Sequence, residues 1–230
     1  MQLTKMNLLK IAAVFLIGVS IFMMLFIVDL GNRAATDSTF RIACVGDSIT
    51  KGCGYPEKLR SLLGDGYTVG NFGVGGATVM VASGEPYIQK LAFKKAKAFL
   101  PDIIIIMLGT NDARLTSQPH IGEFTAEYKT LIAQLQEITS NPKIFIAKPP
   151  PIFNNTLGLD STILMQDVIP RVEQVANELD LPLIDVYSSL ISYPEYFVDG
   201  VHPSITGAEV IANVVGAEIT STSTEAAFVF

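Results

Sequence analysis

Ile103-Ile104-Ile105-Ile106-Met107-Leu108, followed at once by Gly109-Thr110-Asn111-Asp112, is the stretch that decides the fold. A strand with one face in water alternates apolar and polar residues. This run does not alternate, so both of its faces are expected to be buried, as in the central strand of a parallel sheet covered by helices. Shorter apolar runs flank it: Arg41 to Val45 and Tyr67 to Val69 before, Lys143 to Ala147 and Leu183 to Val186 after. Between and beyond them, apolar residues recur every three or four positions. Phe124, Tyr128, Leu131, Ile132, Leu135 and Ile138 form one such stripe; Val168, Val172, Val175 and Leu179 form a second, and Ala208, Val210, Ile211, Val214 and Val215 a third. That spacing places them on one face of a helix. Parallel strands need crossover connections, which are right-handed, so strands alternating with helices predict an α/β fold: a doubly wound three-layer sandwich around a five-stranded parallel sheet.

Ahead of this domain, Ile11 to Val28 is a run of 18 uncharged, mostly apolar residues between Lys10 and Asp29. As a helix it would span about 27 Å, close to the hydrocarbon thickness of a bilayer. With Lys5 and Lys10 before it, the run reads as a signal anchor with a cytoplasmic N-terminus and the rest of the chain outside. A cleaved signal peptide is the alternative, disfavoured by the length of the run and by Asn32 and Arg33 where small residues would serve cleavage. The expected organisation is a basic cytoplasmic segment (1–10), a transmembrane helix (11–28), a linker (29–39), a catalytic domain (40–220) and a frayed tail (221–230). The whole chain has 230 residues, with 16 Lys and Arg against 22 Asp and Glu, a net charge of -6. It contains no basic block able to track a phosphate backbone, which argues against a nucleic-acid partner. Two cysteines and two histidines are too few for a disulfide framework or a Cys/His zinc site.

In an open parallel sheet, ligands sit beyond the carboxyl ends of the strands. There the sequence places Gly46-Asp47-Ser48-Ile49-Thr50 after the first strand, Asn71-Phe72-Gly73-Val74-Gly75-Gly76 after the second and Gly109-Thr110-Asn111-Asp112 after the third. Asp199-Gly200-Val201-His202-Pro203 follows the fifth after a loop. One sheet edge thus gathers a serine hydroxyl, glycine amides, an asparagine carboxamide, and an Asp and a His three apart. Those are the parts of an acyl-transfer site.

Taken in order, these four blocks resemble the SGNH hydrolases, the GDSL esterase family, over roughly residues 40–218. The matching positions are Gly46-Asp47-Ser48; Asn71, Gly73 and Gly76; Gly109-Thr110-Asn111-Asp112; and Asp199-x-x-His202. The sequence is similar to bacterial members described as sialate O-acetylesterase-like or lysophospholipase-like. The resemblance implies a flavodoxin-like SGNH fold, with Ser48 as nucleophile, His202 as general base and acid, and Asp199 orienting the imidazole. It also implies an oxyanion hole of Ser48, Gly76 and Asn111. Neither cofactor nor metal is implied. The expected activity is removal of short acyl groups, O-acetyl on carbohydrate foremost. A lysophospholipase or thioesterase acting on lipid acyl groups is the first alternative, and a noncatalytic glycan-binding surface protein the second. Membrane attachment through the N-terminal helix would then hold the domain outside the cell, or the domain would be secreted if the segment is cleaved.

Other residues read more plainly. His120, next to Pro119, belongs to no shared motif and is expected on the surface. Asp47 and Asp112 are expected to brace loops by accepting hydrogen bonds. Cys44 falls inside the first strand as a small core residue, with Cys53 nearer the catalytic loop as its one possible disulfide partner. Lys90, Lys94, Lys95 and Lys97 are expected to form a solvated helix face. Pro149, Pro150 and Pro151, following the fourth strand on the same edge, are candidates for the substrate-binding wall or else a stiff loop. The serine lacks the Gly-x-Ser-x-Gly of an α/β-hydrolase elbow. Gly73-Val74-Gly75-Gly76-Ala77-Thr78 does not complete a dinucleotide-binding fingerprint, since Thr78 stands at its third glycine.

Overall fold

The computed structural model describes residues 39–226, with side chains to 221. Five strands, β1 (Phe40–Gly46), β2 (Tyr67–Gly73), β3 (Ile103–Met107), β4 (Lys143–Ala147) and β5 (Leu183–Ile184), form one sheet in the order β2-β1-β3-β4-β5. Every pair is parallel. The chain therefore winds outward in one direction from β1 to β2 and in the other from β3 to β5. The place where the winding reverses, between β1 and β3, leaves a crevice at the carboxyl edge.

The isoleucine run behaves as its lack of alternation demands. Ile104, Ile106 and Leu108 join Ala43 and Val45 in a core on one face, against α3 (Leu91–Ala98), α4 (Phe124–Gln136) and α5 (Ile169–Glu178). Ile103, Ile105 and Met107 join Ile42 and Cys44 in a second core on the other face. There the cover is α1 (Ser48–Gly52), α2 (Tyr55–Leu63), α6 (Val186–Leu190) and α7 (Ile205–Ala226). Ile104, Ile105 and Ile106 are completely buried, each contributing about 1.5–3 kcal/mol relative to exposure. The layers are the three expected. In the α4 stripe Phe124, Tyr128, Leu131, Ile132 and Leu135 are buried on the helix, while Ile138 is buried just beyond its end.

Departures from expectation have local causes. β2 continues to Gly73 because it lies at the sheet edge beside β1, where Gly70 and Asn71 can join the ladder without entering a core. β5 stops at Ile184, since the Asp185 side chain accepts the Ser188 amide at 2.9 Å and opens α6 instead. Before α5, Pro170 has no N–H to offer the Gln166 carbonyl, and the turn widens, with the Ile169 amide reaching back to the Leu164 carbonyl. The expected tail boundary at 220 falls within α7, which continues to Ala226. The Thr220 hydroxyl donates to the Gly216 carbonyl at 2.9 Å and the Ser221 hydroxyl to Glu218 at 3.0 Å. Hydroxyls bonded back to the preceding turn are compatible with helix rather than competing with it.

Lys94 and Lys95 lie on the outer side of α3, whereas Lys90 pairs with Glu85 and Lys97 lies 3.9 Å from Glu137. The predicted transmembrane segment, 11–28, lies outside the described residues. Among the described residues no helix is long and apolar enough to cross a membrane.

Candidate active site

The Asp47 side chain caps α1 by accepting the Ile49 amide at 2.9 Å, which sets Ser48 at the first helical position directly beyond β1. The end of β2 is drawn against α1. A Cβ at Gly73 would lie 2.2 Å from the Lys51 backbone nitrogen, so only glycine permits this approach, and Asn71 Nδ2 donates to the Lys51 carbonyl at 3.4 Å. These contacts explain two of the motif residues without giving them chemistry.

His202 arrives from the far end of the chain on a tight loop. Asp199 Oδ1 accepts the amides of Val201 at 3.0 Å and His202 at 2.8 Å, while its Oδ2 lies 2.7 Å from His202 Nδ1. The other ring nitrogen, Nε2, lies 2.9 Å from Ser48 Oγ. Burial alone would push the Asp199 carboxyl up, but the His202 and Val201 amides and the imidazole outweigh it and hold it below the usual carboxylate range. An ionised carboxylate against Nδ1 fixes the proton there and leaves Nε2 free to accept from the serine.

Asn111 and Gly76 line the same cavity as Ser48 and His202. Asn111 is almost fully buried, and its Nδ2 donates to the Ala77 carbonyl at 3.1 Å, leaving its second N–H for another acceptor. Gly76 has φ +74, in the left-handed region that favours glycine, while its Cβ position is open space. Backbone conformation, rather than crowding by the protein, accounts for glycine here.

The loop bearing Gly76 is held from beneath by Asp112, whose two oxygens accept the amides of Val79 at 3.0 Å and Met80 at 2.9 Å. Asp112 is completely buried, and desolvation pushes its carboxyl up to about 7, against the pull of those amides and with help from the charge on Asp47. Burial likewise pushes Asp47 up to about 6, opposed by the Ile49 amide, Thr110 and His202. Both aspartates thus brace loops, as their place in the sequence suggested. Cys44 is buried in β1, and Cys53 is half-buried; both are free thiols, pushed up to about 12 by burial. His120 is exposed, 3.8 Å from Glu123, and is not among the residues lining the cavity.

The cavity has a volume of about 230 Å³, and Arg114, Leu157, Leu159 and Val201 complete its lining. Of the two readings of the prolines, a wall or a stiff loop, their placement fits the second. Pro149, Pro150 and Pro151 are all buried and do not line the cavity. Prolines have no amide proton to satisfy, so three in succession can leave β4 through the interior at little polar cost, and the chain reaches the cavity only at Leu157 and Leu159. Nothing in the sequence marked those leucines. Arg114 could have been found, since it lies three positions after Asn111 on the same loop.

A hydroxyl bonded to an imidazole, an imidazole bonded to a carboxylate, and amide donors in the same cavity can together activate an oxygen nucleophile and receive the charge of a tetrahedral intermediate. Over 222 residues, covering 83% of this chain, the sequence is 32% identical to an acetylxylan esterase of Xylanibacter ruminicola, and the match spans only 46% of that longer protein. Among solved structures, a lipase/acylhydrolase from Enterococcus faecalis is similar at TM-score 0.64 and 24% identity, covering 80% of this chain and 96% of that one. A carbohydrate acetylesterase family member from Sinorhizobium meliloti is similar at TM-score 0.63 and 20% identity, covering 79% and 98%. Residues 44–210, which carry the end of β1, all of β2 to β5 and the helices from α1 to α6, match the GDSL-like lipase/acylhydrolase family, and the chain belongs to that family.

Proposed function

We propose that this protein is a serine esterase that removes short acyl groups, O-acetyl in particular, from carbohydrates. The observation that carries the reading is the hydrogen-bonded series from Asp199 through His202 to Ser48 at the floor of a small cavity. Ser48 attacks the ester carbonyl while His202 Nε2 takes its proton, forming the C–O bond to the enzyme. The carbonyl oxygen gathers negative charge, which Asn111 Nδ2 and the amides of Gly76 and Ser48 receive. Collapse expels the alcohol, protonated by His202, and leaves acyl-Ser48. Water, deprotonated by His202, attacks in turn and releases the carboxylic acid.

The cavity, at about 230 Å³, is smaller than the 300 Å³ or more typical of sites that enclose drug-sized ligands. This favours a short acyl group over a lipid chain, as does the likeness to an acetylxylan esterase. The apolar run 11–28 supports export, with the catalytic domain held at the outer membrane face, where polymeric glycans are met. The test is hydrolysis of p-nitrophenyl esters from acetate to palmitate by the full-length protein in detergent. A maximum at acetate, with a steep fall beyond butyrate, is expected; a maximum at long chains would replace this reading with the lipid one, and no hydrolysis of any ester would remove it.

A further inference from the structure

Among the residues that line the cavity, Arg114 carries the one permanent charge. Its place is fixed from both sides. The preceding Asp112 and Ala113 are fully buried, the Ala113 carbonyl accepts the Asp160 amide at 2.8 Å, and the Arg114 carbonyl accepts the Ser117 amide at 2.9 Å. The guanidinium reaches across to the opposite wall, where Nη1 donates to the Leu157 carbonyl at 2.8 Å. That wall is itself organised by Asn155, which accepts the Leu157 amide at 2.9 Å and donates to the Leu159 carbonyl at 2.9 Å.

One donor of the guanidinium is used in this way. Among the described residues its other N–H groups have no hydrogen-bond or ion-pair partner. No carboxylate among the described residues forms an ion pair with it: Asp112 accepts from Val79 and Met80, Asp199 is bonded to His202, and Asp160 Oδ1 accepts the amides of Thr162 and Ile163. What sets Arg114 apart from the other arginines is its place, in the lining of the cavity that also holds Ser48. Five donors in a rigid fork match the two oxygens of a carboxylate. An acetyl group carries no charge, so such a carboxylate would have to belong to the alcohol side of the ester.

We infer that Arg114 is a specificity-determining residue that pairs with a carboxylate on the sugar carrying the acyl group, so that the preferred substrates are acylated acidic sugars of the hexuronate class. The inference rests on the esterase reading above. Its geometry separates the tasks: Ser48, His202, Asn111 and Gly76 handle the ester, whereas Arg114, anchored to Leu157, selects the alcohol.

The experiment compares kcat/KM of the full-length protein for O-acetylated glucuronic acid and for its methyl ester, which has the same ring without the charge. p-Nitrophenyl acetate is measured in parallel. A charge-assisted contact predicts a preference for the acid of about ten- to a hundred-fold, carried mainly by KM and shrinking as salt is raised. In Arg114→Gln, which keeps an amide donor for Leu157, the ratio should collapse toward one; Arg114→Lys, which keeps the charge without the fork, should retain part of it. Wild-type hydrolysis of p-nitrophenyl acetate with equal rates on acid and methyl ester would overturn the inference while sparing the esterase reading. A ratio unchanged in Arg114→Gln would overturn it too, by showing a purely structural arginine. The salt dependence of the wild-type ratio tests the charge pairing without any variant, and a preference that stays constant as salt is raised would count against it. Failure to hydrolyse p-nitrophenyl acetate as well would instead overturn the reading on which the inference stands.

Discussion

His202 Nε2 lies 2.9 Å from Ser48 Oγ, although 154 positions separate the two residues. The contact joins the first strand's carboxyl end to the loop that precedes the last helix. Ser48→Ala removes the nucleophile without removing any of the backbone contacts that place His202. Esterase activity should fall by at least about 10⁴-fold, with thermal stability close to wild type. Retention of more than a few per cent of activity in purified Ser48→Ala would take the serine out of the reaction.

Asp199 grips His202 twice, by its amide and by Nδ1. An asparagine at 199 can keep the amide contact through its carbonyl oxygen, but it can present an NH₂ to Nδ1 and favour the tautomer that puts the proton on Nε2, where it blocks acceptance from Ser48. Asp199→Asn should therefore lower kcat by about 10² to 10⁴-fold while leaving the loop folded. Kinetics combined with the chemical shifts of the imidazole nitrogens would check this, and an unchanged tautomer with unchanged kcat would contradict it.

How much of the molecule is legible in its sequence depends on whether a feature is written in local pattern. The Ile103 to Leu108 run shows its burial on both faces because every side chain is apolar, and the two cores divide its residues alternately. Ser48, Asn111, Asp199 and His202 can be read because each stands at a strand end or on a short loop beside glycine. The cavity wall cannot. Leu157 and Leu159 resemble any loop leucines, and they line the cavity on a segment that Asn155 folds into a compact turn. The prolines are ambiguous for a different reason: their composition fits a wall and a stiff loop equally, and only the fold shows them as a buried exit from β4. Asp185 ends β5 early through a capping bond that competes with the strand.

In the proposed reaction Asn111 offers its remaining N–H to an oxygen that bears full negative charge only in the tetrahedral intermediate. Its loss should be felt in kcat and hardly in KM. Asn111→Ala should lower kcat by about 10² to 10³-fold, while the lost bond to the Ala77 carbonyl produces a modest drop in stability. A rise in KM at constant kcat would place the side chain in ground-state binding instead.

Asp112 and Asp47 predict a particular dependence of stability on pH. Their folded carboxyls lie at about 7 and about 6, above the ordinary value of 3.8 that they regain on unfolding. Between pH 4 and 7 the folded state therefore binds more protons than the unfolded state, and this contribution to stability declines as pH rises through the window. Above pH 7 both are ionised in either state, and the cost of burying the two charges is fully present. Asp199, held low, acts with the opposite sign: its contribution is present above the ordinary carboxylate range and is lost as pH falls through its folded value. Asp112→Asn removes one titrating group while leaving its side-chain oxygen to accept one of the Val79 and Met80 amides. Chemical denaturation at half-unit steps from pH 4 to 8 should show a shallower decline for Asp112→Asn than for wild type, and an esterase activity reduced at every pH because the loop bearing Gly76 loses one of its two anchors. Parallel stability profiles for the two proteins would mean that Asp112 does not titrate in this window, and full activity in the variant would mean that the loop is held by other contacts, such as the bond from Tyr87 to the Phe72 carbonyl.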